Sequence, residues 1–354
     1  MDYFFSYNLR KVGIYMKYLF PKIDLHLHLD GSFRTATIYE LAQKQNVKLP
    51  GGSLEEYEQF NIKCSNAKDV NDFLEMFQYP LLVMQDEESI SRIVYELIED
   101  LANQGLAYAE IRFAPQLHTQ KGLSQAQATQ AVLNGRNKAL QDFKNIKINI
   151  ITCMMVVGDE KKNWKENEET VEVCKQFLGK GVVALDLAGA EGIVPLSNFS
   201  KLFDKAKEYN LPIICHAGDS QDWKTVEDAI SFGVSRVGHG HHIYENPELC
   251  RIAAEKSIAL EICPTSNIQC KTRETYQRHP ASNLLNMGIP VTINTDNMTL
   301  SRVTLDDEYD HCLNEMGFEE EDLILMNLNS LNACFLTPEE KEPIRQELLK
   351  YLDR

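Results

Sequence analysis

The sequence predicts an α/β fold, a (β/α)8 TIM barrel carrying an inserted helical segment after its first strand and extra helices at its C-terminus. Three observations lead to it. Short apolar, β-branched runs alternate with longer amphipathic stretches, an order that builds parallel sheets and not a sandwich. Eight such runs occur, the number that closes a barrel. The 354 residues also exceed the roughly 250 that one barrel needs, which leaves length for additions.

The runs fall at 23–27, 107–113, 148–157, 182–187, 212–216, 236–239, 259–263 and 290–295. Between them, apolar residues recur at helical spacing over 87–103, 125–143, 169–180, 199–209, 226–232 and 247–256. The stretch 36–99 is longer than one crossover helix and is expected to be a helical insertion, a candidate lid, with Gly51-Gly52 as a loop between its helices. After the last strand, residues 301–354 carry acidic helical patterns at 306–316, 319–332 and 338–352 that would pack outside the barrel or cover one end. Residues 1–15 are expected to lie outside the core, since Met16 stands seven residues before the first strand. No linker, repeat or low-complexity run divides the chain, so residues 1–354 are expected to form one domain.

Composition narrows the function. An apolar share of 44% with 25% charged residues is that of a globular chain and excludes disorder. The 36 Lys and Arg against 52 Asp and Glu give a net charge of −16, which repels polyanions, so nucleic acid is an unexpected partner. Nine Cys without a repeated spacing suit free thiols in a reducing compartment, and a cytoplasmic location is expected. The aromatic N-terminal stretch is interrupted by Asn8, Arg10, Lys11 and Lys17, so no membrane span is expected there. The sequons at Asn198 and Asn297 carry little meaning without a secretory signal. Oligomeric state is unreadable, for the outer helices show no heptad seam.

In such a barrel the chemistry comes from the C-terminal ends of strands. The first strand ends Asp24-Leu25-His26-Leu27-His28-Leu29-Asp30. Because alternate residues of a strand share a face, His26 and His28 point together, half of a natural metal site. A lone His there would read as a hydrogen-bonded core residue; a pair favours metal. The fifth strand ends Cys215-His216-Ala217-Gly218-Asp219, the sixth Gly238-His239-Gly240-His241-His242, and the eighth Asn294-Thr295-Asp296-Asn297. Singly, Asp296 could cap a loop and His239 could be structural. Together, three histidines and a carboxylate would make a nitrogen and oxygen site suited to Zn2+, with a position open for water.

These segments, with Asp186-Leu187-Ala188-Gly189, resemble in order and spacing the motifs of the adenosine deaminase family, from Lys22 to Asp296. The resemblance implies one catalytic Zn2+ per chain, held by His26, His28, His216 and Asp296. It also implies an outer histidine at His239, a purine-contacting backbone at Gly189, ribose contact from Asp30, and purine contact near Asn297 and His28. The implied reaction is hydrolysis of adenosine, and of 2′-deoxyadenosine, to the 6-oxopurine and ammonia in purine salvage, with a purine nucleoside as the small-molecule partner. A metal-activated water attacks C6, an acid protonates N1, and His239 and Asp296 handle the water's proton.

Three positions depart from the family pattern. Asp219 stands where the family has Glu, which retracts the expected acid by about 1.5 Å, one methylene, against a catalytic contact range of about 2.6–3.2 Å. Asn297 stands where another Asp is common, and an amide there can still donate or accept. Ala190 stands where an acid is common. Two other readings follow: a deaminase of adenine or another 6-aminopurine nucleoside, or a zinc-bound barrel that binds nucleosides with weak catalysis. A binuclear centre lacks its bridging Lys after the fourth strand. The unrelated zinc deaminases use Cys-x-x-Cys, which this chain lacks, and no Gly-x-Gly-x-x-Gly or Walker loop appears.

Overall fold

A computed structural model describes residues 17–64 and 75–352. The expected extension at 1–15, and Phe73 and Leu74 of the insertion, lie outside the described residues. Eight parallel strands follow one another: β1 (Lys22–His28), β2 (Leu106–Phe113), β3 (Lys147–Val156), β4 (Val182–Gly189), β5 (Ile214–Ala217), β6 (Arg236–His239), β7 (Ala259–Ile262) and β8 (Val291–Ile293). Strands β1–β4 and β5–β8 pair in sequence order. The two runs join where Leu185 N–H donates to the Pro212 carbonyl at 2.9 Å. The circle closes at the other seam, where His28 N–H donates to the Asp296 carbonyl at 2.7 Å and Asp296 N–H donates to the His26 carbonyl at 2.8 Å. The fold is the (β/α)8 barrel expected.

Helices cover the strands as their apolar periods require. Helix Glu87–Asn103, capped by Asp86 accepting from Ser89 N–H at 2.8 Å, leads into β2. Helix Gln125–Asp142 opens with a Ser124/Gln127 capping box. The segment before Glu87 folds into helices Thr35–Gln45, Leu54–Cys64 and Gln78–Val83, with Gly51-Gly52 in the loop between the first two. Two helices between strands start before their expected bounds: 226–232 runs over Trp223–Ser231, and 169–180 departs furthest, running over Trp164–Phe177. The cause of the latter is Asn167, which is fully buried and breaks the apolar period. Its amide donates to the Met155 carbonyl at 2.9 Å and accepts from Met155 N–H at 2.8 Å, as a neighbouring strand would.

At the C-terminus, Leu305–Glu315, Glu320–Ala333 and Pro338–Leu352 are helical. The second closes the barrel's N-terminal face: Asn327 accepts from Ile23 N–H at 2.9 Å, and just beyond the helix Phe335 N–H reaches Glu110 at 2.9 Å. Above that floor the interior is charged. Arg236 pairs with Glu110, and with Glu261 at 2.5 Å; Arg112 pairs with Glu261 at 2.7 Å and Asp186 at 2.8 Å, all with no exposed side-chain surface. Two guanidiniums face three carboxylates, so the lattice carries a surplus negative charge. The surplus lies against the histidines above it.

Candidate metal centre and active site

The ends of β1, β5, β6 and β8 bring His26, His28, His216, His239 and Asp296 together at one mouth. His28 Nε2 lies 3.2 Å from His216 Nε2; Asp296 Oδ1 lies 3.5 Å from His26 Nε2 and 3.4 Å from His28 Nε2. Two imidazole nitrogens at such a distance share either a proton or a cation. A tetrahedral ion with bonds of about 2.0–2.1 Å has ligand–ligand edges of about 3.3 Å, the spacing seen. His26 Nε2 is also buried without a hydrogen-bond partner among the described residues. The donor set therefore fits a metal ion.

The carboxylates beneath set which nitrogens are bare. His26 Nδ1 donates to Glu261 at 2.9 Å and His216 Nδ1 donates to Asp186 at 3.0 Å, so both Nε2 atoms face the mouth unprotonated. Burial, with the Arg112 and His216 charges, pushes the His26 pKa down; burial also pushes His28 well down. Burial opposes charge on His216, but the Asp186 carboxylate outweighs it and lifts that imidazole. Burial likewise opposes charge on Asp296, yet the surrounding histidines hold it well below the usual carboxylate range. Asp296 and His239 both take φ of +60°, a left-handed conformation rare outside glycine. Such backbone costs about 1–3 kcal/mol and gathers at functional sites.

His239 stands between two groups. Its ring packs edge-on against His26, with centroids 4.8 Å apart, and His216, 5.4 Å apart; its Nδ1 lies 3.8 Å from Asp219 Oδ1. Asp219 Oδ1 accepts from Asn267 Nδ2 at 2.7 Å, Thr272 Oγ1 at 3.1 Å and His241 Nε2 at 3.3 Å. Arg273 Nε donates to His241 Nδ1 at 2.8 Å, which fixes the His241 proton on Nε2. Burial opposes the Asp219 charge, but His239 and His241 hold the carboxyl well below its usual range. All three hydrogen bonds fall on Oδ1, so Oδ2 is the oxygen left to meet a ligand.

The remaining expected residues ring this centre. Asp30 follows His28 in the turn Leu29–Gly31 and is 6% exposed; burial, reinforced by the Asp296 charge, pushes its carboxyl up to about 6. Asn297 Oδ1 is buried without a partner among the described residues. A Cβ on Gly31 would lie 1.9 Å from it, so only glycine lets the turn approach. Gly189 (φ +108°) lines a cleft with Leu187, Glu191, Phe199 and His216, and a Cβ there would lie 2.5 Å from the Val156 carbonyl. Nothing in the structure explains Ala190.

Several residues of the site lie outside the sequence motifs. Arg112 in β2 and Glu261 in β7 were visible as charges inside apolar strands, a signal in itself. Cys263 lies close enough to His26, His239 and Asp296 to offer sulfur to a metal. Burial pushes its thiol well up, however, so it stays a neutral thiol that donates to the Glu261 carbonyl at 3.5 Å. Asn267 and Glu191 left no sequence signal.

Comparison with known proteins gives the family and the fold. The adenosine deaminase family profile matches residues 21–351. An adenosine deaminase of Haemophilus ducreyi is 39% identical over 325 residues, covering 91% of this chain and 94% of its own. A solved adenine deaminase of Arthrobacter aurescens superposes with TM-score 0.84 at 23% identity, over 94% of this chain and 99% of its own. A solved Burkholderia ambifaria amidohydrolase with bound Zn superposes with TM-score 0.85 at 25% identity, over 94% and 91%. This chain belongs to the adenosine deaminase family and is an aminohydrolase acting on the amino group of a purine.

Proposed function

We propose that the chain hydrolyses adenosine and 2′-deoxyadenosine to their 6-oxopurines and ammonia, serving purine salvage in the cytoplasm, with one Zn2+ held by His26, His28, His216 and Asp296. One observation carries the reading: His239 touches the metal-type cluster on one side and Asp219 on the other, so a single purine carbon can meet both. The zinc, when bound, supplies a water whose pKa falls toward about 7. The residues do the rest. The second oxygen of Asp296 would accept the water's proton, while His239 Nδ1 accepts from Asn267 Nδ2 at 3.2 Å, so its Nε2 carries the ring proton and would donate to the water's oxygen. Asp219 is ionised in the open site, so it would meet N1 as an acid only after taking a proton from solvent, as a neutral purine covering its Oδ2 raises it toward protonation.

Asp30 would hold a ribose hydroxyl, the Asn297 amide N7, and the backbone at Gly189 the purine edge. The Leu54–Cys64 helix packs against Met298–Ser301, directly after Asn297. That contact supports the inserted segment as a lid of the same single domain. The eight cysteines with described side chains are all unpaired and buried, which supports a reducing compartment. Among the described residues no helix is long and apolar enough to cross a membrane.

The test is an absorbance assay of the zinc-loaded protein with adenosine, 2′-deoxyadenosine and adenine in parallel. Nucleoside conversion is expected. Conversion of adenine alone would replace this reading with free-base deamination, which the fold neighbour named adenine deaminase makes the second candidate. Silence on all three with stoichiometric zinc would refute both and leave a weakly catalytic nucleoside binder.

A further inference from the structure

The Asp219 side chain is anchored by Asn267, Thr272 and His241, but its backbone is anchored by something else. Glu191 lies two residues beyond the end of β4, and its carboxylate reaches across to the loop after β5. Oε1 accepts from Gly218 N–H at 2.6 Å and Thr225 Oγ1 at 2.7 Å. Oε2 accepts from Ser220 N–H at 2.7 Å, from Asp219 N–H and Gln221 N–H at 3.1 Å each, and from Ser220 Oγ at 3.3 Å. Four successive backbone amides thus converge on one carboxylate. Glu191 forms no ion pair with a described residue, so the amide dipoles and the two hydroxyls meet its charge. A run of N–H groups around one anion needs a left-handed residue to turn them inward; Gly218 provides it at φ +63°.

We propose that Glu191 is a positioning residue for the reaction: its carboxylate sets the backbone of 218–221 and thereby the reach of the Asp219 acid. The inference rests on the reading of Asp219 as the proton donor. The physical case comes from length. An aspartate has one methylene fewer than a glutamate with which to absorb a displaced main chain, so placement of its Cα decides whether Oδ2 reaches the ring. The carboxylate just after β4 makes that placement from outside the loop. Nothing else holds all four amides: Gly218 N–H has a second acceptor in Thr225 Oγ1, at 2.9 Å, and Thr225 itself donates to Glu191. The side-chain anchors then act on a backbone already fixed, which separates the two restraints. Replacing the carboxylate by an amide would turn one acceptor into a donor facing N–H groups and open the loop, while the histidine cluster keeps its own partners, Glu261 and Asp186.

The test compares Glu191→Gln, Thr225→Val and Asp219→Asn by kcat and KM on adenosine, bound zinc and melting temperature. A misplacement near 1 Å costs about 10²-fold, so Glu191→Gln is expected to lower kcat by about that factor. Its zinc should stay stoichiometric and its KM within about threefold of the parent. Thr225→Val, which removes one donor, is expected to lose less. In the Glu191→Gln background, Asp219→Glu should recover part of the lost kcat, because the longer acid tolerates the shifted backbone; a merely structural role predicts no such rescue. The proposal is overturned if Glu191→Gln keeps parental kcat, or if it loses zinc and turnover together without rescue. Should Glu191→Gln fail to fold, an unchanged kcat in Thr225→Val overturns it, and a lowered kcat with full zinc supports it. Full turnover in Asp219→Asn would refute the donor reading itself. Loss in Asp219→Asn beside full turnover in Glu191→Gln would refute only the role of Glu191.

Discussion

Replacing Arg112 by Met is expected to weaken both the fold and the metal site, and the magnitude follows from what the guanidinium touches. Nη1 reaches Asp186 at 2.8 Å; Nη2 reaches Glu261 at 2.7 Å and the Leu25 carbonyl at 2.7 Å, all in the dry interior. Removing one partner of a buried pair costs about 3–5 kcal/mol, because the remaining charge is left unpaired. The lower part of that range applies to Glu261, which keeps Arg236 at 2.5 Å. Asp186 keeps His216, the Leu187 N–H at 2.8 Å and the Cys153 thiol, but no guanidinium. Against a total stability of about 5–15 kcal/mol, and about 2 °C of melting temperature per kcal/mol in a chain this long, the fall should be about 6–10 °C. The same carboxylates orient His26 and His216, and losing such an outer partner lowers metal affinity about 10–100-fold. Arg112→Lys restores charge without the two-pronged geometry and should recover less than half of the loss. Calorimetric melting and metal titration read both effects. Melting within about 2 °C of the parent, with unchanged metal affinity, would refute the account of the charged lattice.

Three further outcomes are expected. His216→Ala should lower bound metal below one equivalent by elemental analysis, and stoichiometric zinc in that variant would remove His216 from the ligand set. Glu308, fully buried against Thr265 N–H at 3.1 Å, has its carboxyl pushed well up, by burial first and by Asp307 and Asp24 after it. The folded chain then holds that proton to higher pH than the unfolded chain, so the native state loses stability as pH rises above the ordinary glutamate range toward the folded value. Glu308→Gln should raise the melting temperature by about 2 °C or more at pH 8, with little gain at pH 4; a gain independent of pH would refute the linkage. Asp30→Ala should weaken nucleoside turnover more than turnover of free adenine, and equal losses would count against a ribose contact.

The parts of the molecule legible in the sequence are those written as local patterns. Most of the eight strands announced themselves because they are buried on both faces and so read as apolar runs, broken only by inward charges and histidines. His26-x-His28 was legible because a strand's period of two puts both rings on one side. What escaped is what depends on meetings across the barrel. Glu191 bonds to amides of residues 218–221, and backbone donors leave no mark in side-chain spacing. Asn267 serves Asp219 and His239 at once only because β5, β6 and β7 deliver their C-terminal ends to one point. The early start of helix Trp164–Phe177 was hidden because Asn167, a polar residue turned inward, interrupts the very period by which helices are recognised.

The seam between β8 and β1 has a consequence for how the protein comes into being. Two of the expected metal-binding histidines lie at positions 26 and 28 and their carboxylate partner at 296, and the two backbone bonds that join the seam belong to these same residues. A nascent chain therefore holds half a coordination sphere, His26 and His28, from early in its synthesis, adds His216 on the way, and completes the other half with Asp296 only when the circle is shut. Contacts of such long sequence separation form slowly and late. An ion that needs both halves cannot bind productively to a partial chain, so metal capture marks completion of the barrel and then resists its reopening. The reaction centre is also the clasp of the ring.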